Sequence, residues 1–391
     1  MNWIRKTTVL CAALTLAVAM VVGSAGPAAA RKVYKIGALF ATSGPASMLG
    51  LPEKNTASML EESINSQGGI NGTPIKLIIY DTQADPTKTV TAAKKLIKKD
   101  KVDVIIGPTT SGATLAIIDV IQKAEIPLIS CAASVRIVQP VKKWVFKTPQ
   151  TDVMAVEKIY AKLQKEGKKK IAIITVSNGF GDSGRVQLKK FANKYGITVV
   201  ADERYGSKDT DMTVQMTKIK GTDAEAIICW GTNPGPAVIA KNRKQLGITI
   251  PLYNSHGVAS KKFIELSGGA AEGTFLPAGR LLVADQLPDS DPQKAVLVGY
   301  RDNYEKRFGG SVSTFGGHAY DAFNIAVQAL RNLSDKKMDP TRGAIRSAIE
   351  KIHGFVGTGG VFNFSPEDHN GLTQDDFVMI KIENGSWKLA E

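Results

Sequence analysis

From Val33 onward the chain alternates short apolar, β-branched runs with amphipathic segments, a pattern that few folds accommodate. Residues 33–40, 75–80, 102–106 and 126–130 read as strands. Between them lie helical spacings. Ala57, Leu60 and Ile64 fall on one face, a segment over about 87–99 turns Leu96 and Ile97 inward, and Ile117, Val120 and Ile121 form a third stripe. Strands apolar on both faces and separated by helices belong to parallel sheets covered on both sides.

The pattern pauses at Lys147-Thr148-Pro149 and then begins again. A helix over 152–166 leads to a strand over 171–176, a glycine loop and a helix running to about Lys194. Strands over 197–201 and 226–230, a helix over 211–220 and Pro251-Leu252-Tyr253 complete a second unit. A strong helix over 318–332 carries Tyr320, Phe323, Val327 and Leu330 on one face. The expectation is an α/β protein of two doubly wound, Rossmann-like lobes with a cleft between them. Ligands of such sheets bind beyond the carboxyl ends of the strands, so residues just after strands are the candidates.

Residues 1–30 read as a cleavable signal peptide. Arg5 and Lys6 precede an apolar stretch from Val9 to Val22 broken only by Thr15, and Ala28-Ala29-Ala30 supplies the cleavage pattern. That stretch is shorter than the roughly 20 residues that span a bilayer. Cys11 lies early in it and not at a cleavage point, so no lipidation is expected. Removal leaves 361 residues, enough for two domains, and takes the formal charge from +14 to +12. The basic excess is spread along helix faces as pairs such as Lys94-Lys95 and Lys98-Lys99. This reads as solvated surface with mild steering of anions, not nucleic-acid binding. Cys131 and Cys229 alone remain, too few for a disulfide framework.

Several post-strand segments carry candidate chemistry. Gly107-Pro108-Thr109-Thr110-Ser111-Gly112 opens a helix and serves equally well as an anion site or as an ordinary N-cap. It lacks the lysine of a phosphate-binding loop. Ser130-Cys131-Ala132-Ala133-Ser134 offers small residues and the Ser134 hydroxyl, or simple close packing. Cys131 has no sequence-adjacent histidine to activate it. Gly179-Phe180-Gly181-Asp182-Ser183-Gly184 matches a dinucleotide fingerprint with Asp202 and Glu203 about 20 residues on. An exported protein meets little cofactor and Phe180 is bulky, so this reads as a turn presenting Phe180 to the cleft. His256 follows a strand, and the histidines show no metal-ligand spacing. No cofactor, metal or catalytic group is expected.

In these loops the chain resembles the leucine/isoleucine/valine-type periplasmic binding proteins, solute receptors of ABC importers for branched-chain amino acids and related acids. The resemblance runs over the whole chain after residue 30. It rests on Ile36-Gly37 through Ser43-Gly44-Pro45, Ile106 through Gly112, Ile126 through Ser130, Phe146-Lys147-Thr148, Phe180-Gly181, Thr210-Asp211-Met212 and His318 through Ala322. It implies a type I fold with three interlobe crossovers and hinge closure. On that basis 31–147 forms lobe 1, 148–255 lobe 2, 256–350 a return to lobe 1, and 351–391 a crossing back to lobe 2. Thr110 and Ser111 fall where the family binds the α-carboxylate, and Ala132 and Ser134 where it meets carboxylate and amine. Phe180 matches an aromatic cover, Leu49 shapes the side-chain pocket, and Trp230 and Asn233 sit at another cleft loop. The family's acidic partner for the ligand ammonium is replaced here by His256. A buried ammonium needs a compensating charge, so an aromatic or aliphatic carboxylate without the amine is the alternative ligand.

The resemblance further implies a monomeric, non-enzymatic periplasmic receptor whose partners are a small carboxylate and an ABC permease, with no nucleic acid. An exported oxidoreductase would need a cofactor at 179–184, and a DNA-binding repressor would begin with a helix-turn-helix. A sensor for a membrane signalling partner would share every cleft residue.

Overall fold

The computed structural model describes residues 33–390, and the proposed signal peptide, with Cys11, lies outside them. The first sheet is built from β1 (Tyr34–Phe40), β2 (Ile75–Asp81), β3 (Val104–Ile106), β4 (Leu128–Ser130) and β5 (Val145–Lys147), in the order β2-β1-β3-β4-β5. All four pairings are parallel. The helices α1 (Ser47–Ser66), α2 (Pro86–Lys95) and α3 (Ser111–Ala124) make the connections.

Next come α4 (Asp152–Lys165), β6 (Lys170–Val176), α5 (Gly179–Ala192), β7 (Thr198–Tyr205), α6 (Thr213–Lys220), β8 (Ala226–Trp230), α7 (Gly235–Gln245), β9 (Leu252–Asn254), α8 (Lys261–Ser267) and β10 (Phe275–Ala278). The chain continues through α9 (Lys294–Phe308), α10 (Thr314–Asp335), α11 (Arg342–Ile349), β11 (Phe355–Val356), β12 (Val361–Phe362), β13 (Val378–Glu383) and β14 (Ser386–Leu389). The second sheet has the order β14-β13-β10-β9-β8-β6-β7. Its β7-β6-β8-β9-β10 portion is parallel and repeats the strand order of the first sheet, while β13 and β14 are antiparallel additions. In both sheets the order reverses beside the first strand, which opens a crevice between β1 and β3 and another between β6 and β8.

The later part of the chain departs from the sequence reading. Residue 256 is not the point of return to the first lobe, because β10 still hydrogen-bonds to β9 and β13. The return begins just after β10, where Leu281, and Tyr300 of α9, pack with Met59 of α1 and Tyr300 shares a 2.7 Å hydrogen bond with Thr56. It is completed by α10, whose Ala319, Ala322, Phe323 and Ala326 pack with Ile36, Val104 and Phe146 in one core. Residues 351–391 do not simply cross back either. Phe362 and Phe364 belong to that same first core, and only β13 and β14 join the second sheet. A strand of four residues containing Pro277 and an antiparallel hairpin lie outside the periodicity that reveals a βα repeat.

The chain therefore passes between the two bodies three times, after β5, after β10 and before β13. Gln150 joins these passages. Its side-chain amide donates to Gly359 O at 2.5 Å and to Asp376 O at 3.3 Å, and lies against Gly279. Asp321 of α10 accepts from the Thr358 and Gly359 backbone N–H groups at 2.6 and 2.8 Å and from the Thr358 hydroxyl at 3.0 Å. Burial nevertheless pushes its carboxyl up to about 7.

Phe323 is fully buried where α10 meets the first sheet. Phe323→Ala should lower the unfolding free energy by about 3–5 kcal/mol, through lost apolar burial and the cavity left behind. Urea denaturation followed by circular dichroism measures this. A loss below about 1 kcal/mol would mean that α10 does not anchor the first core.

Candidate functional site

Parallel strands followed by crossover helices bring every helix N-terminus to the carboxyl edge of its sheet. Here two such edges face one another across a cavity of about 340 Å³. The first turns of four helices line it: Ala46 and Leu49 at the start of α1, Thr110 to Gly112 at α3, Asn178 to Phe180 at α5, and Asn233 and Gly235 at α7. Helix N-termini carry partial positive charge and unsatisfied N–H groups, so their convergence favours an anion.

The ends differ in how they are capped. The Asn178 side chain accepts from Phe180 and Gly181 N–H, occupying the first donors of α5. Thr110, at the start of α3, makes no side-chain cap. Its neighbour Ser111 accepts from Ser134 N–H at 3.2 Å. α3 therefore presents its first turn to the cavity without competition from its own cap residue. The two helices touch: a Cβ built on Gly179 would lie 2.8 Å from Gly112 Cα.

The glycines of the fingerprint-like 179–184 segment serve packing. A Cβ on Gly181 would lie 1.8 Å from Val176 O, and one on Gly184 2.2 Å from the Trp230 ring. Both glycines let α5 sit close on β6 and β8. The segment is the first turn of a helix, not a free turn, and Phe180 faces the cavity from it.

Seven of the residues expected from sequence come together on the cavity wall: Leu49, Thr110, Ser111, Ala132, Phe180, Asn233 and His256. Two do not. Ser134 is fully buried and shares a 2.7 Å hydrogen bond with the Ser183 hydroxyl, which in turn donates to Asp152. Ala133 lines the cavity in its place. Trp230 lies behind the wall, with its ring centroid 5.8 Å from Phe180 and 5.9 Å from His256. The wall also contains Tyr205, Phe315 and His318, which sequence reasoning missed. In the sequence His318 marks the start of an amphipathic helix and of a family-like motif, neither of which points to a cavity, and Tyr205 lies just beyond the strand read over 197–201.

No Asp, Glu, Lys or Arg is among the described residues lining the cavity. The wall is apolar and aromatic, with hydroxyls, Asn233 and two imidazoles. His256 is 6% exposed, and its ring is packed by Phe180, Trp230 and Phe377 at 5.4–5.9 Å. Neither of its ring nitrogens has a hydrogen-bond partner in the protein, and neither does His318 Nδ1 or Asn233 Oδ1. Burial, and then the charge of Lys147, brings both histidines down to about 3, so both are neutral imidazoles at pH 7.

Lys147 itself is fully buried. Its ammonium donates to Pro149 O at 2.6 Å, Pro149 lines the cavity, and burial lowers the amine to about 7. Glu53 stands behind Thr109, hydrogen-bonded to its hydroxyl, and burial raises its carboxyl well above the usual range. Cys131 lines the cavity as a thiol, pushed up by burial and by Glu53. Cys131 and Cys229 are both free and buried.

Two α/β bodies on three connections, with helix ends converging on one mainly apolar cavity between them, define a bilobal solute-binding protein. The chain belongs to the periplasmic binding protein family, whose model matches residues 33–386. Members are solute receptors, not enzymes. A curated relative, the leucine-, isoleucine-, valine-, threonine- and alanine-binding protein of Pseudomonas aeruginosa, is 24% identical over 84% of this chain and 86% of its own. The crystal structure of an extracellular ligand-binding receptor from Rhodopseudomonas palustris HaA2 is 30% identical, with a TM-score of 0.86 over 91% of this chain and 99% of that one. A branched-chain amino acid transporter substrate-binding protein from Streptococcus pneumoniae, solved in complex with isoleucine, has a TM-score of 0.81 at 25% identity, covering 92% and 99%. The fold is the type I periplasmic binding fold expected from sequence.

Two outcomes test this geometry. Gly179→Leu, too large for the α3–α5 contact, should raise the radius of gyration measured by small-angle X-ray scattering while leaving the urea midpoint nearly unchanged. An unchanged radius with a lower midpoint would make the contact static core packing. For Lys147, the folded amine titrates near 7 and the unfolded one near its ordinary 10.5. Below pH 7 both states are charged and burial costs its full amount; the penalty is relieved as pH rises from 7 to 10.5. Lys147→Met should therefore gain stability over wild type near pH 6. That gain should shrink above pH 7 by about 1.4 kcal/mol per pH unit. A pH-independent difference would show that the lysine does not titrate with folding.

Proposed function

We propose that this protein is the extracytoplasmic receptor of an ABC importer. It captures a small, largely apolar carboxylic acid that lacks an α-amine, and its two lobes close about the three-stranded hinge. The observation that carries this reading is a cavity supplied with four helix N-termini and no lining carboxylate. An α-ammonium taken out of water there would find no opposite charge. The ligand carboxylate would lie at the open first turn of α3, against Thr110 and Ser111, with the backbone at Ala132 beside it. Phe180 would cover the ligand from the second lobe, while Leu49 and Asn233 shape the remaining wall. The volume lies in the range of small-molecule sites. In this reading the 30-residue leader directs the chain to the periplasm, where it works as a monomer and delivers its ligand to a permease.

A second reading is a hydrophobic or branched-chain amino acid as ligand. It is favoured by the amino acids named for the Pseudomonas aeruginosa relative and the isoleucine bound by the Streptococcus pneumoniae one.

A thermal-shift screen of purified protein, unfolded and refolded to remove co-purified ligand, separates the two. The panel holds leucine, isoleucine and valine beside aromatic and aliphatic carboxylates. A ligand at 100 times its dissociation constant should stabilise by about 2.7 kcal/mol. Shifts with the acids alone support the first reading, and His256→Glu should then bring amino acids into the responding set. Shifts with leucine, isoleucine or valine in the unaltered protein establish the second.

A further inference from the structure

On a mainly apolar wall, His256 and His318 are polar side chains with buried ring nitrogens that find no partner in the protein. They come from different bodies, His256 just after β9 and His318 from α10 against the first sheet, yet they line one cavity. Each is more than nine-tenths buried, and three of their ring nitrogens have no partner in the protein. Buried polar atoms without partners are costly and uncommon, so their retention points to a partner from outside the chain.

We propose that His256 and His318, backed by the buried Lys147 ammonium, form a second polar anchor that takes an uncharged oxygen function of the ligand, a hydroxyl or a carbonyl, and rejects an ammonium. This rests on the carboxylate reading of the cavity and narrows it to hydroxy or oxo acids.

The chemistry of the groups supports the choice. A neutral imidazole offers one N–H donor and one acceptor nitrogen. Two of them match a hydroxyl, which donates and accepts, or a carbonyl, which accepts twice. The ring of His256 is held by Phe180, Trp230 and Phe377, so its donor direction is set before the ligand arrives. An ammonium fares badly in the same place. Asp152 and Asp368 act on Lys147 at longer range than an ion pair, and its charge is still felt at both imidazoles, where it disfavours a second cation. The nearby acids are engaged elsewhere. Asp152 accepts from Ser183 and from the backbone N–H groups of Val135 and Val153, and Glu53 is kept protonated behind Thr109.

The test is calorimetric titration of the refolded full chain with acids built on one skeleton. 3-Phenylpropanoate is the parent, phenylpyruvate adds an oxygen beside the carboxylate, 3-(4-hydroxyphenyl)propanoate adds one at the far end, and phenylalanine carries the ammonium. A parallel set uses 4-methylpentanoate, its 2-oxo and 2-hydroxy forms, and leucine. At least one oxygenated acid should bind about tenfold or more tighter than its parent, with the amino acid weakest. His256→Leu and His318→Leu should each lower the oxygenated acid's advantage over its parent by about tenfold, whatever each does to binding of the parent acid itself.

If parent and oxygenated acids bind equally, the inference falls and the carboxylate reading stands. Should the amino acid bind tightest, both fall, as they do if no acid of either set binds. An equal loss for every acid in both variants would assign the histidines a structural role and overturn the proposal. The wild-type ranking can overturn the proposal even if a variant fails to fold.

Discussion

Parallel strand pairing is the constraint from which this molecule follows. A parallel strand cannot be reached by a hairpin, so each needs a crossover, and each crossover here ends its loop at a helix N-terminus on the same sheet edge. The pairings β1–β3 and β6–β8 reverse the winding direction and hold that edge open. With two such edges opposed, the partial charges of α1, α3, α5 and α7 focus on one space, and the protein needs no basic side chain in its wall to favour an anion.

Close approach has been obtained by removing side chains. Gly112 and Gly179 let two helix ends meet across the cleft, while Gly181 and Gly184 seat α5 on its sheet. Behind the wall, Ser134, Ser183 and Asp152 form a buried polar chain, and Trp230 stiffens Phe180 and His256. The residues that would touch a ligand are thus held by others that do not.

The repeat of strand and helix was legible because each element is long enough to show its period: α1, α3 and α10 by apolar stripes, β1 and β6 by unbroken apolar runs. The shorter β10 and the antiparallel pair β13–β14 were not, since their partners are distant in sequence. The same distinction applies to the site. Thr110, Ser111, Phe180 and His256 were found because they follow strands. His318 and Phe315 reach the cavity from a helix that returns to the first sheet after residue 278, a path that no local pattern encodes. Ser134 was misjudged because its partner Ser183 lies 49 positions away. The charge environment was hidden too: Lys147 reads as part of a linking segment, and only the fold sets it beside two histidines.

Gln150 binds the first passage between the bodies to the third and abuts the second at Gly279. Three cords fastened at a common knot do not flex independently. Shearing one sheet edge past the other, or twisting it about the long axis, would stretch the cords unequally and break the knot, whereas rotation about it costs little. Under the proposed closure, an external surface that reads the angle between the bodies would be reading the state of this shared tie.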